Sequence, residues 1–260
     1  MIGLFDSGSG GLTVLAEIRR RAPRADIVYF GDVANAPYGS RPSSELVELT
    51  RASIEYLRDM GATELVSACN SVAPSVLAGA AESARIIEMT RPIARALRQH
   101  AGARALLLAT EATVRSRIYE EALGVTVLLD QLPVPELAGA IEFGADESAV
   151  RRIVQEAFRE KAGRAYDLLI LGCTHYPLAR HIIEEEARAA FGGAVRTVDP
   201  AEAVAEEVVR AFDTEGSGLS RLCVSAASEL FARRAGALFP GEAHSIEVFN
   251  RFVPRGIVTA

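Results

Sequence analysis

Short apolar runs alternate along this chain with amphipathic stretches of helical spacing. The runs predict strands over residues 2–5, 26–30, 64–68, 85–88, 104–109, 125–129, 167–171, 194–198, 221–224 and 246–249. Between two of them, Leu46, Leu49, Ser53, Tyr56, Leu57 and Met60 recur at spacings of three and four. Val150, Ile153, Val154, Ala157 and Phe158 do the same, in a helix that opens at Asp146 as N-cap and closes near Gly163 as the glycine after its end. Repeated strand–helix units predict parallel α/β sheets covered on both faces. Such sheets bind ligands at the carboxyl ends of their strands.

Those ends carry the unusual residues. Asp6-Ser7-Gly8-Ser9-Gly10-Gly11 follows the first strand, Gly31-Asp32 the second and Cys69-Asn70-Ser71 the third. Thr110-Glu111-Ala112-Thr113 follows the run at 104–109, and Cys173-Thr174-His175 ends the run at 167–171. One shared cleft would collect them all. A faint internal echo links "ELVSACNSVAPSVL" with "LLILGCTHYPLARHI". Both read as apolar strand, small residue, cysteine, polar residue, then proline. Two such units facing each other would make two half-sites.

Bulk properties narrow the classes. The chain has 260 residues, 49% of them hydrophobic and 24% charged, as in an ordinary globular protein of one large or two smaller domains. A net charge of −6 argues against a broad nucleic-acid surface. It leaves room for a small anion site built from backbone N–H groups. Three cysteines with no C-x-x-C make an odd count, which speaks against a disulfide framework and against a zinc site. The opening "MIGLFDSGSGGL" has no basic segment and no long apolar core, and no run approaches a membrane span. The expectation is a cytoplasmic protein with no membrane partner and no metal.

A lone cysteine at a strand end is usually packing, and Cys223 in "RLCVS" reads that way. Cys69 and Cys173 differ: each precedes an expected helix start, where the dipole and free N–H groups favour a thiolate. Two thiols that do not form a disulfide suit proton transfer between the two faces of one carbon. A base takes the proton from one face and an acid returns one to the other. Asp6 would then serve Cys69, and His175 would serve Cys173. Read separately, Asp6 is a turn residue holding the glycine loop, and His175 a histidine bonded to backbone. The glycine loop lacks both G-x-x-x-x-G-K-[ST] and the G-x-G-x-x-G spacing, so no nucleotide signature is present. Its amides, with Ser7, Asn70, Ser71, Thr113, Thr174 and the Gly39-Ser40 turn, suit one small carboxylate.

Taken in order, "GLFDSGSGGLTVL", "YFGDVANAPYGSR", "ACNS", "ATVRSRIY" and "LILGCTHYPL" resemble the motifs of glutamate racemases, within the wider aspartate/glutamate racemase superfamily. The likeness spans roughly residues 2 to 210. It implies two similar doubly wound α/β domains with mostly parallel sheets and an active site in the cleft between them. It also implies cofactor-independent interconversion of L- and D-glutamate, which supplies D-glutamate for peptidoglycan. Cys69 and Cys173 carry over as the two bases, with Asp6, His175 and Glu142 of "AIEFG" as auxiliary acids and bases. Substrate contacts carry over to Ser7, Pro37, Tyr38, Gly39, Ser40, Asn70, Ser71, Thr113 and Thr174. A homodimer is usual in the family. The resemblance divides the chain into one domain at 1–92 plus 206–260 and another at 93–205.

The chain departs from the family pattern at four places. Ser71 stands where threonine is usual, Asn35 where a long side chain is common, and "EMTRP" at 88–92 where Pro-Gly is common; the stretch before Glu142 looks shortened. These bear on side-chain specificity and domain closure. Three other readings stay open: a relative acting on aspartate, a hydantoin or another diacid; a cysteine hydrolase built on Cys173 and His175; and a non-catalytic small-anion binding protein.

Overall fold

A computed structural model describes residues 1–80, 85–192, 195–240 and 245–249. Ten strands run through them: β1 Ile2–Asp6, β2 Ile27–Gly31, β3 Glu64–Ser67, β4 Ile86–Ile87, β5 Arg104–Ala109, β6 Leu128–Pro133, β7 Leu168–Gly172, β8 Arg196–Val198, β9 Ser220–Val224 and β10 Ile246–Val248. Eleven α-helices accompany them: α1 Leu12–Arg21, α2 Ser43–Asp59, α3 Pro74–Ala80, α4 Thr90–Ala96, α5 Glu111–Arg115, α6 Ile118–Leu123, α7 Pro135–Glu142, α8 Glu147–Arg159, α9 Arg180–Phe191, α10 Pro200–Ala211 and α11 Glu229–Leu238. No helix among the described residues is long and apolar enough to cross a membrane.

The strands form two separate sheets, in the orders β10-β9-β2-β1-β3-β4 and β6-β5-β7-β8. Every pairing is parallel, from Ile2 beside Ile27 and Glu64 to Ala105 beside Leu168. Residues of β1, β2 and β7 are buried throughout, because helices cover both faces and leave no strand position for water. Alternate side chains serve different cores. Leu106 and Leu108 face Leu169, Leu171 and helices α7 to α9. Leu107 and Ala109 face the other way, in a buried cluster that continues to Phe5, Val28 and Phe30 of the first sheet. The two units therefore share apolar surface beneath the site.

The chain enters the second sheet between β4 and β5 through α4 and returns between β8 and β9 through α10. Ala201, Val204, Ala205 and Val208 of α10 bury themselves among residues of α1, β1 and β2.

Within the two sheets the sub-orders β2-β1-β3-β4 and β6-β5-β7-β8 are the same topology. Cys69 follows β3 and Cys173 follows β7, the third strand of each unit, so the sequence echo joins topologically equivalent positions. In both units the chain reverses its order of addition beside the first strand. That reversal opens a crevice between the carboxyl ends of the first and third strands. Asp6 and Cys69 stand there in one unit, Thr110 and Cys173 in the other.

Two sequence expectations need correction. The strand expected at 125–129 is β6, displaced to Leu128–Pro133. Gly124 turns at φ +53°, Val125 is fully exposed, and only Leu132 of β6 is fully buried. As an edge strand it pairs on one side only and tolerates Asp130, Gln131 and Pro133. The second concerns helix α8. It opens at Asp146 as expected, whose carboxylate accepts from the Ala149 N–H at 2.8 Å. It ends at Arg159, however, and Gly163 takes its positive φ in the turn beyond. The first residue of the strand expected at 194–198 lies outside the described residues.

Candidate active site

Asp6 ends β1 and is 1% exposed. Its Oδ2 accepts the Gly8 N–H at 3.0 Å, closing the turn that starts the glycine loop. Its Oδ1 accepts the Thr174 hydroxyl of the opposite unit at 3.2 Å. Asp6 thus holds the loop and reaches across the cleft at once. Burial raises its pKa above the usual aspartate range, and the nearby His175 charge partly offsets this.

Cys69 lies beside it, buried at the end of β3. Burial pushes its thiol far up, and the Asp6 charge pushes it further. The Ser71 N–H and the Ser7 hydroxyl pull in the other direction, and the Cys173 sulfur is near enough to act on it too. The expected helix dipole does not decide the matter. Helix α3 starts only at Pro74, and after Cys173 a 3₁₀ turn over Tyr176–Ala179 precedes α9 at Arg180. A dipole contributes about 0.3–1 kcal/mol and fades beyond the first turn, so burial wins at Cys69.

Behind Cys173 stands a line of close polar contacts. Its Sγ lies 3.6 Å from His175 Nδ1, and His175 Nε2 lies 2.7 Å from Glu142 Oε2. Burial alone would lower the imidazole pKa. Hydrogen bonds and charges from Cys173 and then Glu142 overcome it and raise His175 from 6.5 to about 10. Glu142 ends α7 and is itself buried, which would raise its pKa. His175, Ser9 and Arg234 reverse that and hold it below the usual value. Ser9 donates both its N–H, at 3.2 Å, and its hydroxyl to the Glu142 carboxylate.

The polar donors gather between these two ends. Ser71 Oγ meets Thr110 Oγ1 at 3.0 Å, and Thr110 Oγ1 meets Thr113 Oγ1 at 2.9 Å, a hydroxyl chain from one unit to the other. The Tyr119 phenol donates to Asn70 Oδ1 at 2.6 Å, which fixes the amide and leaves Nδ2 buried with no hydrogen-bond partner. An orphaned buried N–H of this kind is costly unless a ligand satisfies it. The turn at 37–40 divides. Gly39 sits so close to Thr110 that a Cβ would lie 2.9 Å from the threonine Cβ. Tyr38 turns away, donating to Asp32 Oδ2 at 2.6 Å, while Pro37 is half-buried and Ser40 exposed. Tyr38 braces the turn, and Ser40 is exposed next to Gly39.

Two departures from the family pattern acquire local explanations. The Asn35 amide donates to both Asp32 oxygens, at 2.9 and 3.0 Å. Glu88 accepts the Thr90 and Arg91 N–H groups at the start of α4, which serves as a cap. Cys223 lies in the core on β9, as expected. Among the described residues no group of three or more His, Cys, Asp or Glu side chains is arranged to hold a metal ion.

Residues 10–208 match the Asp/Glu/Hydantoin racemase family. The chain belongs to that family. Its curated relatives include the glutamate racemase of Aquifex aeolicus, 34% identical over 224 residues, 84% of this chain and 85% of the relative. Among solved structures it is similar to glutamate racemase isoform RacE1 of Bacillus anthracis, with TM-score 0.84, 29% identity, and coverage of 96% of this chain and 97% of that one. It is also similar to the glutamate racemase of Thermus thermophilus in complex with β-chloro-D-alanine, with TM-score 0.75, 30% identity, and coverage of 95% and 96%. The family match takes in Cys69, Glu142, Cys173 and His175 but begins after Asp6 and Ser9, whereas the fold likeness extends over 96% of the chain.

Two residues around this racemase-family site escape sequence reading: Tyr119, which holds the Asn70 amide, and Arg234 on α11, which bonds to Glu142. For Arg234 the signal was present but faint. Arg234 sits three residues after buried Phe231 and next to buried Ala235, on the inward face of α11, whereas its neighbour Arg233 points to solvent.

The cleft is shut: Asp6, Cys69, Cys173 and His175 are each no more than 6% exposed. A Cβ on Gly10 would lie 2.6 Å from Thr174 Oγ1 and 2.8 Å from His175 Nδ1. Gly10→Ala is therefore expected to lower kcat/KM about a hundredfold, because a small displacement of the reacting groups costs that much. Full activity in steady-state assays of the variant would show that this close contact is not needed for turnover.

Proposed function

We propose that this protein interconverts L- and D-glutamate without a cofactor, with Cys69 and Cys173 as bases on opposite faces of Cα. The observation that carries this reading is the equivalence of the two thiols. Each follows the third strand of its own unit, and each has a titratable side chain close enough to act on it, Asp6 for Cys69 and His175 for Cys173.

In the forward step one cysteine, as thiolate, takes the Cα proton. The electron pair left on carbon spreads into the α-carboxylate. Asn70 Nδ2, with the Ser71, Thr113 and Thr174 hydroxyls, offers hydrogen bonds where that charge develops. The other cysteine, as thiol, delivers its proton to the opposite face and is left as thiolate. The first sulfur now holds the substrate's proton and the second has lost its own, so the reverse reaction starts from the mirror state. Asp6 serves as proton partner of Cys69, and the His175–Glu142 pair as that of Cys173. D-Glutamate made this way feeds peptidoglycan synthesis. A reducing cytoplasm suits two free thiols.

The line Cys173–His175–Glu142 also has the shape of a hydrolase's nucleophile, base and orienting acid. That reading leaves Cys69, Asp6 and the matching topology without work, and the racemase reading uses all three. The test is incubation with L-glutamate in D₂O with no added cofactor. Loss of circular dichroism together with deuterium at Cα is the expected result. Glutamate that keeps its optical activity and its Cα proton would overturn the proposal, and aspartate would be tried next.

A further inference from the structure

Arg234 lies beyond residues 10–208, so the family match does not reach it. Phe231 and Ala235 anchor its helix, α11, in the core of the first unit. From there the guanidinium crosses to the second unit. Its Nη1 lies 3.1 Å from Glu142 Oε2 and donates at 3.3 Å to the Glu142 carbonyl; further bonds run to the Ser9 hydroxyl and the Ile141 carbonyl. The Arg234 side chain is 14% exposed and that of Glu142 3%. The same oxygen, Glu142 Oε2, also accepts the Ser9 hydroxyl and meets His175 Nε2. One carboxylate oxygen is thus shared by an arginine, a serine and the imidazole behind Cys173.

We propose that Arg234 is a positioning residue for racemisation: it holds Glu142 aimed at His175, so that the relay behind Cys173 is complete only while the two units are closed. This rests on the racemase reading given above. Two physical arguments support it. A carboxylate buried this deeply takes up a proton unless positive charge and hydrogen bonds hold it ionised. His175 supplies most of both and Ser9 a further hydrogen bond; the planar Arg234 guanidinium adds charge, and its other donors grip the Ile141 and Glu142 carbonyls that end α7 and so fix the direction of the carboxylate. Moreover Glu142 belongs to one unit and Arg234 to the other. Parting the units to admit substrate separates them and discharges the relay; closing restores it.

The surrounding charges set the size of the effect. His175 faces Cys173, Glu142 and Asp6; Glu142 faces His175, Arg234, Asp6 and the Tyr29 phenol; Arg234 faces Glu142 and Arg233. Asp6 remains near His175 when Arg234 is removed, so the imidazole loses part of its support and not all.

The experiment compares Arg234→Gln, which removes the charge, with Arg234→Lys, which keeps it. The first readout needs no substrate. NMR titration of ¹⁵N-labelled histidine follows four imidazoles, and the His175→Gln spectrum identifies the relevant one. In the unaltered protein His175 stays protonated to about pH 10. Loss of the Arg234 charge alone would raise that midpoint, and Glu142 is ionised at this pH in either protein, so a fall reports lost aim of the carboxylate. In Arg234→Gln the midpoint is expected to fall by about one pH unit or more, and in Arg234→Lys by less than about half a unit. The second readout is racemisation of glutamate. Arg234→Gln is expected to lower kcat about tenfold with KM nearly unchanged, and to move the alkaline limb of the rate profile down with the imidazole. Arg234→Lys recovers most of both.

An unshifted His175 in folded Arg234→Gln overturns the proposal. So does equal impairment of the two variants, which would make shape and not charge the requirement, and so does a rise in KM with kcat retained, which would make Arg234 a simple clasp. If the unaltered protein leaves glutamate untouched, the functional reading fails, and the NMR comparison still decides the role of Arg234.

Discussion

Serine at either Cys69 or Cys173 is expected to stop racemisation, with a loss of about 10³-fold or more, because a serine hydroxyl cannot act as the base or acid near neutral pH. The change exchanges sulfur for oxygen and adds no bulk at either buried position, so the fold is expected to survive. What distinguishes two bases from one is the chemistry left over. Cys69→Ser keeps a working Cys173 and its relay; Cys173→Ser keeps Cys69 and Asp6. Each variant retains proton removal from one face. With a substrate analogue bearing a leaving group at Cβ, removal of the Cα proton expels that group, and no second base is needed. The two variants are therefore expected to eliminate from opposite enantiomers, followed by halide release. Equal enantiomer preference would place both sulfurs on one face and end the two-base account, as would a serine variant that racemises within about tenfold of the parent.

Much of this architecture was legible in the chain because β1, β3, β5 and β7 are central strands. They are covered on both faces, their apolar runs are unbroken, and a polar residue after such a run marks a carboxyl end. Asp6, Cys69, Thr110 and Cys173 could be found by that rule alone. The edge strand β6 escaped it, since an edge needs no continuous apolar run, and the nearby Val125 sits in water. The helices after the two cysteines start later than the sequence suggests, at Pro74 and Arg180, because the intervening turns carry no apolar period. The turn at 37–40 is readable as a motif, but its side-chain directions are not: the Tyr38 phenol goes to Asp32 and Ser40 is exposed. Arg234 was hidden for another reason. Its importance comes from a contact between residues 92 positions apart in different units, and nothing local separates it from Arg233 except the face of the helix.

Removing the imidazole tests the other half of the asymmetry between the two sulfurs. Cys69 is kept protonated by burial and by Asp6, whereas the group behind Cys173 is a histidine raised to about 10 and held by a carboxylate. His175→Gln preserves a side chain able to hydrogen-bond Glu142 and loses the exchangeable charge. The expected fall in kcat is about 10²–10⁴-fold, the usual worth of a positioned acid or base, with KM changed far less. Stability should respond in a definite direction. A histidine whose pKa rises on folding from 6.5 contributes stability that is fully present below about pH 6.5 and is lost as pH rises through about 10. Thermal midpoints of the parent should therefore fall across that interval more steeply than those of His175→Gln, and the gap between the two should narrow toward its alkaline end. Parallel curves would mean that the buried imidazole is neutral throughout, and proton transfer behind Cys173 would then have to begin elsewhere.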